Sequence, residues 1–95
     1  MFLKIHRCQG TSDVVAVCDR ELLNCTLCHG KVNITVSPSF YGDKPVTEEE
    51  VRDALKRAGN INLMGERAVT IAIDMGLLTR ENCIMIGKVP HAVIF

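Results

Sequence analysis

Five consecutive apolar residues run from Val14 to Cys18, and they limit the possible folds more than any other segment. Three of them are β-branched valines, and a short run with no polar alternation is typical of a central strand. The turn-forming cluster Gln9–Asp13 comes before it, and residues 2–8 alternate between apolar and polar side chains. The sequence therefore predicts a hairpin that joins a half-buried strand to a more central one.

Two further segments show strand patterns. Lys31–Ser37 alternates strictly between polar and apolar residues, which predicts a strand that Pro38 ends. Near the end of the chain, the segments 83–86 and 89–95 are joined by Gly87-Lys88, which has the form of a tight hairpin loop. Because proline has no N–H to donate to a ladder, Pro90 places the start of the last strand at a sheet edge or a bulge.

Two segments are predicted to be helices. Thr47 and Glu50 have the spacing of a capping box, and the amphipathic helix that follows ends at Gly59. A second helix is predicted from about Asn62 to Met75 and is apolar over most of its circumference, as expected of a central helix.

The remaining segments are predicted to form a short helical turn and a loop. Asp19 can cap a short helical turn through Leu23, and residues 39–46 form a predicted loop that contains Phe40 and Tyr41. Four or five strands and two consecutive helices predict an α+β fold, a two-layer sandwich with a mainly antiparallel sheet and both helices on one face. Residues 1–95 have the length of a single domain.

Charge and hydropathy exclude several classes of protein. Eleven basic and eleven acidic residues cancel and are interspersed, which counts against non-specific binding to nucleic acid or anionic membranes. No window approaches the roughly 18 apolar residues of a membrane span, and the N-terminus lacks the pattern of a signal peptide. We therefore expect a cytoplasmic protein with reduced thiols and no membrane partner.

The segment Cys25–His29 fits the C-x-x-C-H pattern of covalent haem attachment. Haem attachment requires export, for which the chain shows no signal. Cys25, Cys28 and His29 could instead form part of a zinc site, with Cys8, Cys18 or Cys83 completing it. A second C-x-x-C knuckle is absent, so the prediction is free thiols with no metal or cofactor.

Five residues are candidates for ligand contact. The helix entry Gly65-Glu66-Arg67 offers free amides to an anion, and Arg67 could clamp a phosphate. Asn62 precedes this entry, His91 follows Pro90, and Tyr41 is an aromatic residue in a predicted loop. The plainer interpretation makes Gly59 a C-cap, Asn60 or Asn62 an N-cap, and Arg67 an ion-pair partner of Glu66 or Asp74.

Several segments together resemble a known family. They are Val14–Asp19 with Glu21–Leu23, Phe40–Gly42, Asn62–Val69 and Gly87–Ala92. In this order they resemble an archaeal family of small uncharacterised proteins, known as domain of unknown function 424. The resemblance implies a stand-alone two-layer α+β domain and transfers no catalytic residues, and a link to translation or ribosome maturation is implied only by analogy. Cys25 and Cys28 fall where that family is expected to have basic or polar residues.

Three functional hypotheses remain open. The first is a non-enzymatic module, monomeric or homodimeric, that binds a ribosomal or translation-related protein or RNA through Tyr41, Asn62, Arg67 and His91. The second is a small-molecule or phosphate-binding domain, and potentially an enzyme, which requires Arg67 and His91 to share one cleft. The third is a zinc-binding domain that uses Cys25 and Cys28.

Overall fold

The computed structural model describes residues 1–7, 10 and 13–95, so Cys8 and most of the predicted turn at Gln9–Asp13 lie outside the described residues. Within those residues the strands are β1 (Phe2–His6), β2 (Val14–Cys18), β3 (Thr26–His29), β4 (Val32–Thr35), β5 (Asn60–Met64), β6 (Ile84–Ile86) and β7 (Val89–Ile94). The α-helices are α1 (Pro38–Tyr41), α2 (Glu48–Arg57) and α3 (Glu66–Asp74), and short 3₁₀ turns lie at Arg20–Leu22 and Arg80–Asn82. The predicted α+β fold is confirmed.

Five strands form the main sheet in the order β1-β2-β5-β7-β6. Both predicted hairpins are present, since β1 pairs antiparallel with β2 and β6 pairs antiparallel with β7. The β2–β5 pair is parallel, so the carboxyl ends of these two strands lie side by side at the same end of the sheet. The other two strands, β3 and β4, form a separate hairpin.

Pro90 does not mark a sheet edge, because β7 lies between β5 and β6 inside the sheet. The edge prediction was wrong because a proline can also lie in an inner strand where the hydrogen-bond ladder with the neighbouring strand has ended. The β5–β7 pairing ends at Met64 and His91, so the proline nitrogen lies just beyond it. The Pro90 carbonyl still accepts a hydrogen bond from the Gly65 N–H at 2.9 Å.

The second helix is shorter than predicted, because the segment Asn60–Met64 is a strand at the centre of the sheet. Ile61 and Leu63 point to the helices while Asn62 points away, which is a period of two rather than 3.6. Gly65, with φ of 114°, forms the corner between strand β5 and helix α3. The two long helices are therefore separated by a strand and are not consecutive.

One side of the sheet, here called the helical face, is covered by α2 and α3. The predicted capping box is present at the start of α2, where the Glu50 N–H donates to Thr47 Oγ1 (3.2 Å) and the Thr47 N–H donates to Glu50 Oε1 (3.3 Å). The buried side chains of this face are Val15, Val17, Val51, Leu55, Ile61, Leu63, Ala68, Val69, Ile71, Ala72, Leu78 and Ala92. They form an aliphatic core with no aromatic residue.

The opposite side, here called the hairpin face, is covered by the short helix α1 and the β3–β4 hairpin. Its buried residues are Ala16, Cys18, Val36, Tyr41, Met64 and Ile86. The strand predicted at Lys31–Ser37 is present as β4, but it pairs only with β3, outside the main sheet. Residues 39–41, predicted to be in a loop, form α1 together with Pro38, and Ser37 caps this helix because the Ser37 Oγ accepts from the Ser39 N–H at 3.1 Å.

Candidate binding cleft

An open cleft of about 250 Å³ lies on the hairpin face, between the sheet, α1 and β4. Its lining residues are Ile34, Thr35, Phe40, Tyr41, Asn62, Met64, Ile86 and His91. The cleft thus brings together three of the five candidate residues, which come from three different elements. None of the described residues that line it is an aspartate, a glutamate, a lysine or an arginine.

A larger depression of about 700 Å³ lies beside α2, at the ends of β1 and β2. Four of its five charged side chains form ion pairs, Arg7 with Asp13 at 2.9 Å and Arg57 with Asp53 at 3.8 Å. We therefore regard the smaller cleft as the better candidate site, since its polar groups converge without neutralising each other.

Tyr41 forms the floor of the cleft rather than an exposed loop contact, because its side chain is only 5% exposed. The Tyr41 hydroxyl donates a hydrogen bond of 2.7 Å to Asn62 Oδ1. Burial raises the pKa of Tyr41 well above its ordinary value, so the hydroxyl keeps its proton and its role as donor. This bond fixes the orientation of the Asn62 amide and leaves its Nδ2 group as a donor for a ligand.

Phe40 forms an apolar wall that is held from both sides. Its ring stacks on the ring of His6, with centroids 4.7 Å apart, and meets the ring of Tyr41 edge-on at 4.9 Å. The His6 Nε2 also bonds the Phe40 carbonyl at 2.7 Å. The ring stacking and the hydrogen bond of His6 both join β1 to Phe40 and hold α1 against β1.

His91 supplies the third polar group. Its Nδ1 lies 2.8 Å from the Leu63 carbonyl oxygen. Because a carbonyl can only accept, Nδ1 must carry the proton, and Nε2 of the neutral ring is then a hydrogen-bond acceptor. The cleft therefore presents one donor, on Asn62, and one acceptor, on His91, between apolar walls.

Arg67 and Glu66 are not part of this cleft. They line another depression together with Met1, Val46, Glu48, Thr70, Ile71 and Asp74. Glu66 forms an ion pair with Arg80, and this hydrogen-bonded partner lowers the pKa of the Glu66 carboxyl. The phosphate-binding hypothesis required Arg67 and His91 to lie in one cleft, but the structure places them in two different depressions.

The amides at the start of α3 are already occupied by a carboxylate of the protein itself. The Arg67 N–H donates to Asp19 Oδ2 and the Ala68 N–H donates to Asp19 Oδ1, both at 2.9 Å. Asp19 was predicted to cap the turn that follows it, but its side chain makes no capping bond there. Burial raises the pKa of Asp19, and the two N–H bonds oppose this only in part.

The parallel pairing of β2 with β5 explains why Asp19 reaches this position. Cys18 pairs with Met64, so the residues that follow the two strands, Asp19 and Gly65, lie side by side at the carboxyl ends of β2 and β5. A Cβ on Gly65 would stand 2.6 Å from Asp19 Oδ2, which explains the glycine. The sequence does show an acidic residue directly after a predicted central strand. This residue could be recognised as the cap of α3 only if the parallel pairing of β2 with β5 were known.

The C-x-x-C pair lies at the start of the β3–β4 hairpin. Cys25 immediately precedes β3 and Cys28 lies within it, so the two residues follow an extended chain on which a separation of three spans roughly 10 Å. Each thiol has its own partner, the Glu21 carbonyl for Cys25 and Asn33 Oδ1 for Cys28, both at 3.2 Å. In the described part of the chain, no three His, Cys, Asp or Glu side chains are grouped in a way that could hold a metal ion.

Together these features define a class of protein, an α+β sandwich domain with an uncharged open cleft on the side away from its long helices. The chain belongs to the family described as proteins of unknown function (DUF424), whose model matches residues 6–95. The resemblance inferred from the sequence is thus confirmed.

The chain is also similar to a solved structure, that of an uncharacterized conserved protein from Methanopyrus kandleri. The TM-score is 0.80 and the sequence identity 28%, over 98% of this chain and 88% of that one. No curated protein matches the chain. Within the described residues, none of the helices has the length and apolar character needed to cross a membrane. The biochemical function therefore has to be argued from the cleft.

Proposed function

We propose that this protein is a non-enzymatic binding module that recruits a protein or ribonucleoprotein partner in the archaeal cytoplasm. The observation that carries the proposal is the convergence of Tyr41, Asn62 and His91, from α1, β5 and β7, on one cleft with apolar walls. A concave apolar site with a few convergent polar groups is the usual form of a ligand-binding site.

The chemistry of the cleft favours an uncharged partner group. Its described lining contains no aspartate, glutamate, lysine or arginine that would pair with an ion, so burial of a formal charge there would be costly. One donor on Asn62 and one acceptor on His91 fit a flat group that carries an acceptor and a donor of its own. A carboxamide side chain, a peptide group and a nucleobase all have this property.

Two observations support binding rather than catalysis. The phenol of Tyr41 is held protonated by burial and is already hydrogen-bonded to Asn62. Among the described lining residues, His91 has no carboxylate beside it, and the Thr35 hydroxyl is hydrogen-bonded to the Thr26 hydroxyl at 3.2 Å. These groups do not form the base–nucleophile pair that general acid–base or nucleophilic chemistry needs.

The two other hypotheses have weaker support. A phosphate site at Gly65–Arg67 would have to displace Asp19 from the amides that it already caps. A zinc site through Cys25 and Cys28 would need the β3–β4 hairpin to refold, since the two thiols have separate partners.

A pulldown from native archaeal lysate at low salt tests the proposal, with the full chain as bait. We expect the wild-type protein to recover a ribosomal or translation-related component. The His91→Ala and Asn62→Ala variants should recover it at least tenfold less, because each removes one of the two open polar groups of the cleft.

Arg67→Ala is the matched control, since Arg67 is exposed and lies in a different depression. This variant should recover the partner as well as the wild type does. Thermal unfolding of each bait shows that it is folded. Recovery of nothing above background by the wild type, or equal recovery by the cleft variants, would contradict the proposal.

A further inference from the structure

The edge strand β6 presents unpaired backbone groups to solvent. The two-residue loop Gly87-Lys88, with φ of 63° at the glycine, makes Ile86 and Val89 a hydrogen-bonded pair. Pairs alternate along an antiparallel ladder, so Met85 and Pro90 form a non-hydrogen-bonded pair. The Pro90 carbonyl confirms this, since it bonds Gly65 on the β5 side. The N–H and C=O of Met85 therefore point away from the sheet.

Two of the three side chains of β6 are also exposed. Ile84 is 61% exposed on the hairpin face and Met85 is 46% exposed on the helical face, and β6 contains no charged residue. The β3–β4 hairpin packs against β6, and at the turn end of the strand a Cβ on Gly87 would lie 3.6 Å from the Cys28 carbonyl oxygen, but neither strand of the hairpin pairs with β6. Natural sheets rarely leave an apolar edge free, because such an edge pairs readily with another strand.

The opposite edge, β1, shows the usual protection. Lys4 lies in the middle of this strand and is exposed. The chain before α2 covers its beginning, through a bridge between Phe2 and Pro45 and a 2.8 Å bond from the Val46 N–H to the Met1 carbonyl. Lys4 and this cover protect the edge at β1, whereas β6 carries no charge and pairs with no described strand on its outer side, which singles out β6 as an interaction surface.

We propose that β6 pairs antiparallel with β6 of a second copy of this chain, about a two-fold axis at Met85. The strand is complementary to itself in this register. The two Met85 residues exchange both backbone hydrogen bonds, and Ile84 of each copy lies opposite Ile86 of the other. The exposed Glu81, in the turn before β6, and the exposed Lys88 of the other copy fall at the same end of the pair, so each end carries opposite charges.

The pairing has a consequence for the cleft. A two-fold axis through an antiparallel pair is perpendicular to the sheet, so the hairpin faces of both copies lie on the same side of the continuous sheet. The dimer presents two identical clefts in one direction. The dimer itself does not depend on what the cleft binds, and it can be tested separately.

Sedimentation velocity over a range of concentrations tests the proposal on the full chain. We expect wild-type protein to show a concentration-dependent dimer. Met85→Pro removes the outward N–H without removing a bond of the β6–β7 ladder, and should weaken dimerisation at least tenfold. Met85→Val keeps the N–H and an apolar side chain, and should dimerise to within a few-fold of wild type.

Ile84→Lys is a second variant that decides the matter if Met85→Pro fails to fold. It places a charge on the free edge, at a side chain that is already exposed, and should also give monomers. Circular dichroism shows whether each variant is folded. The proposal is overturned if the wild type remains monomeric up to its solubility limit, or if the folded edge variants dimerise as the wild type does.

Discussion

The two faces of the sheet differ in how completely they are closed. The helical face is covered by helices of ten and nine residues, and twelve of the described residues are buried there. The hairpin face is covered by a helix of four residues and a two-stranded hairpin, and six are buried. The same strands contribute to both faces, so the difference comes from the covering elements and not from the sheet.

The polar groups show the same difference. On the helical side, Asp19 is 2% exposed and both of its oxygens accept backbone N–H groups. On the hairpin side, Asn62 and His91 each have one group engaged within the protein and one left for the cleft. A closed face maximises apolar burial and hence stability, whereas an open face keeps hydrogen-bonding capacity for a partner.

The largest expected effect contrasts two adjacent residues of β5 that point to opposite faces. Leu63→Ala should lower the free energy of unfolding by about 3 kcal/mol, because Leu63 is wholly enclosed and its truncation leaves a closed cavity. Met64→Ala should cost about 2 kcal/mol, at the lower end for such a truncation, since the space it leaves is continuous with the open cleft. Urea unfolding measures both, and equal losses would mean that the two faces are equally closed.

A smaller effect is expected from the buried cap on the helical side. Asp19→Ala leaves the N–H groups of Arg67 and Ala68 without acceptors and should cost about 2 kcal/mol. The matched control is Asp53→Ala, which removes an exposed carboxylate of α2 and should cost less than about 0.5 kcal/mol.

Hydrogen exchange separates a cap effect from a general loss of stability. In the Asp19→Ala variant, the amides of Arg67 and Ala68 should exchange faster relative to amides at the centre of β5. If their protection falls only as much as that of the β5 amides, Asp19 does not act as a cap.

Local patterns in the sequence predicted local structure well. The capping box at Thr47, the hairpin loop at Gly87 and the run from Val14 to Cys18 each depend on residues close together in the chain, and each is present. The sequence pattern places Asn62–Met64 in a helix because Met64 fits the helical period of the residues after Gly65. Gly65 has a positive φ and separates the strand from the helix, but the spacing of the apolar residues does not reveal this change of direction.

The site could be predicted only in part, because it depends on contacts between distant segments. Tyr41, Asn62 and His91 were each identified from the sequence, but their convergence depends on β5 lying beside β7 and on α1 crossing the sheet. Arg67 was chosen because a helix begins there, and the carboxylate that occupies that helix entry comes from Asp19, 48 residues earlier. Non-local pairing of this kind cannot be read from spacing along the chain.

The hydroxyl of Tyr41 should have a moderate effect on stability and a specific effect on the cleft. Tyr41→Phe removes the hydrogen bond to Asn62 and should cost about 1 kcal/mol. The Asn62 amide is then free to rotate, so its side-chain NH₂ resonances should move in a ¹⁵N-correlated NMR spectrum while those of Asn82 stay unchanged. Unchanged Asn62 resonances would show that the hydroxyl does not orient the amide.

The smallest effect concerns the reactivity of a thiol and not stability. It tests whether the residues buried beneath the cleft of the hairpin face are closed to solvent. Cys18 is wholly buried beneath this face, and burial raises the pKa of its thiol to about 11. Because the thiolate is the reactive form, Cys18 should resist iodoacetamide up to about pH 9. Cys25 and Cys28 are exposed on the hairpin and should be alkylated in the folded protein. Mass spectrometry of peptides from native and urea-unfolded protein measures each site. Labelling of Cys18 as fast as Cys28 would mean that the hairpin opens in solution and that the floor of the cleft is not closed.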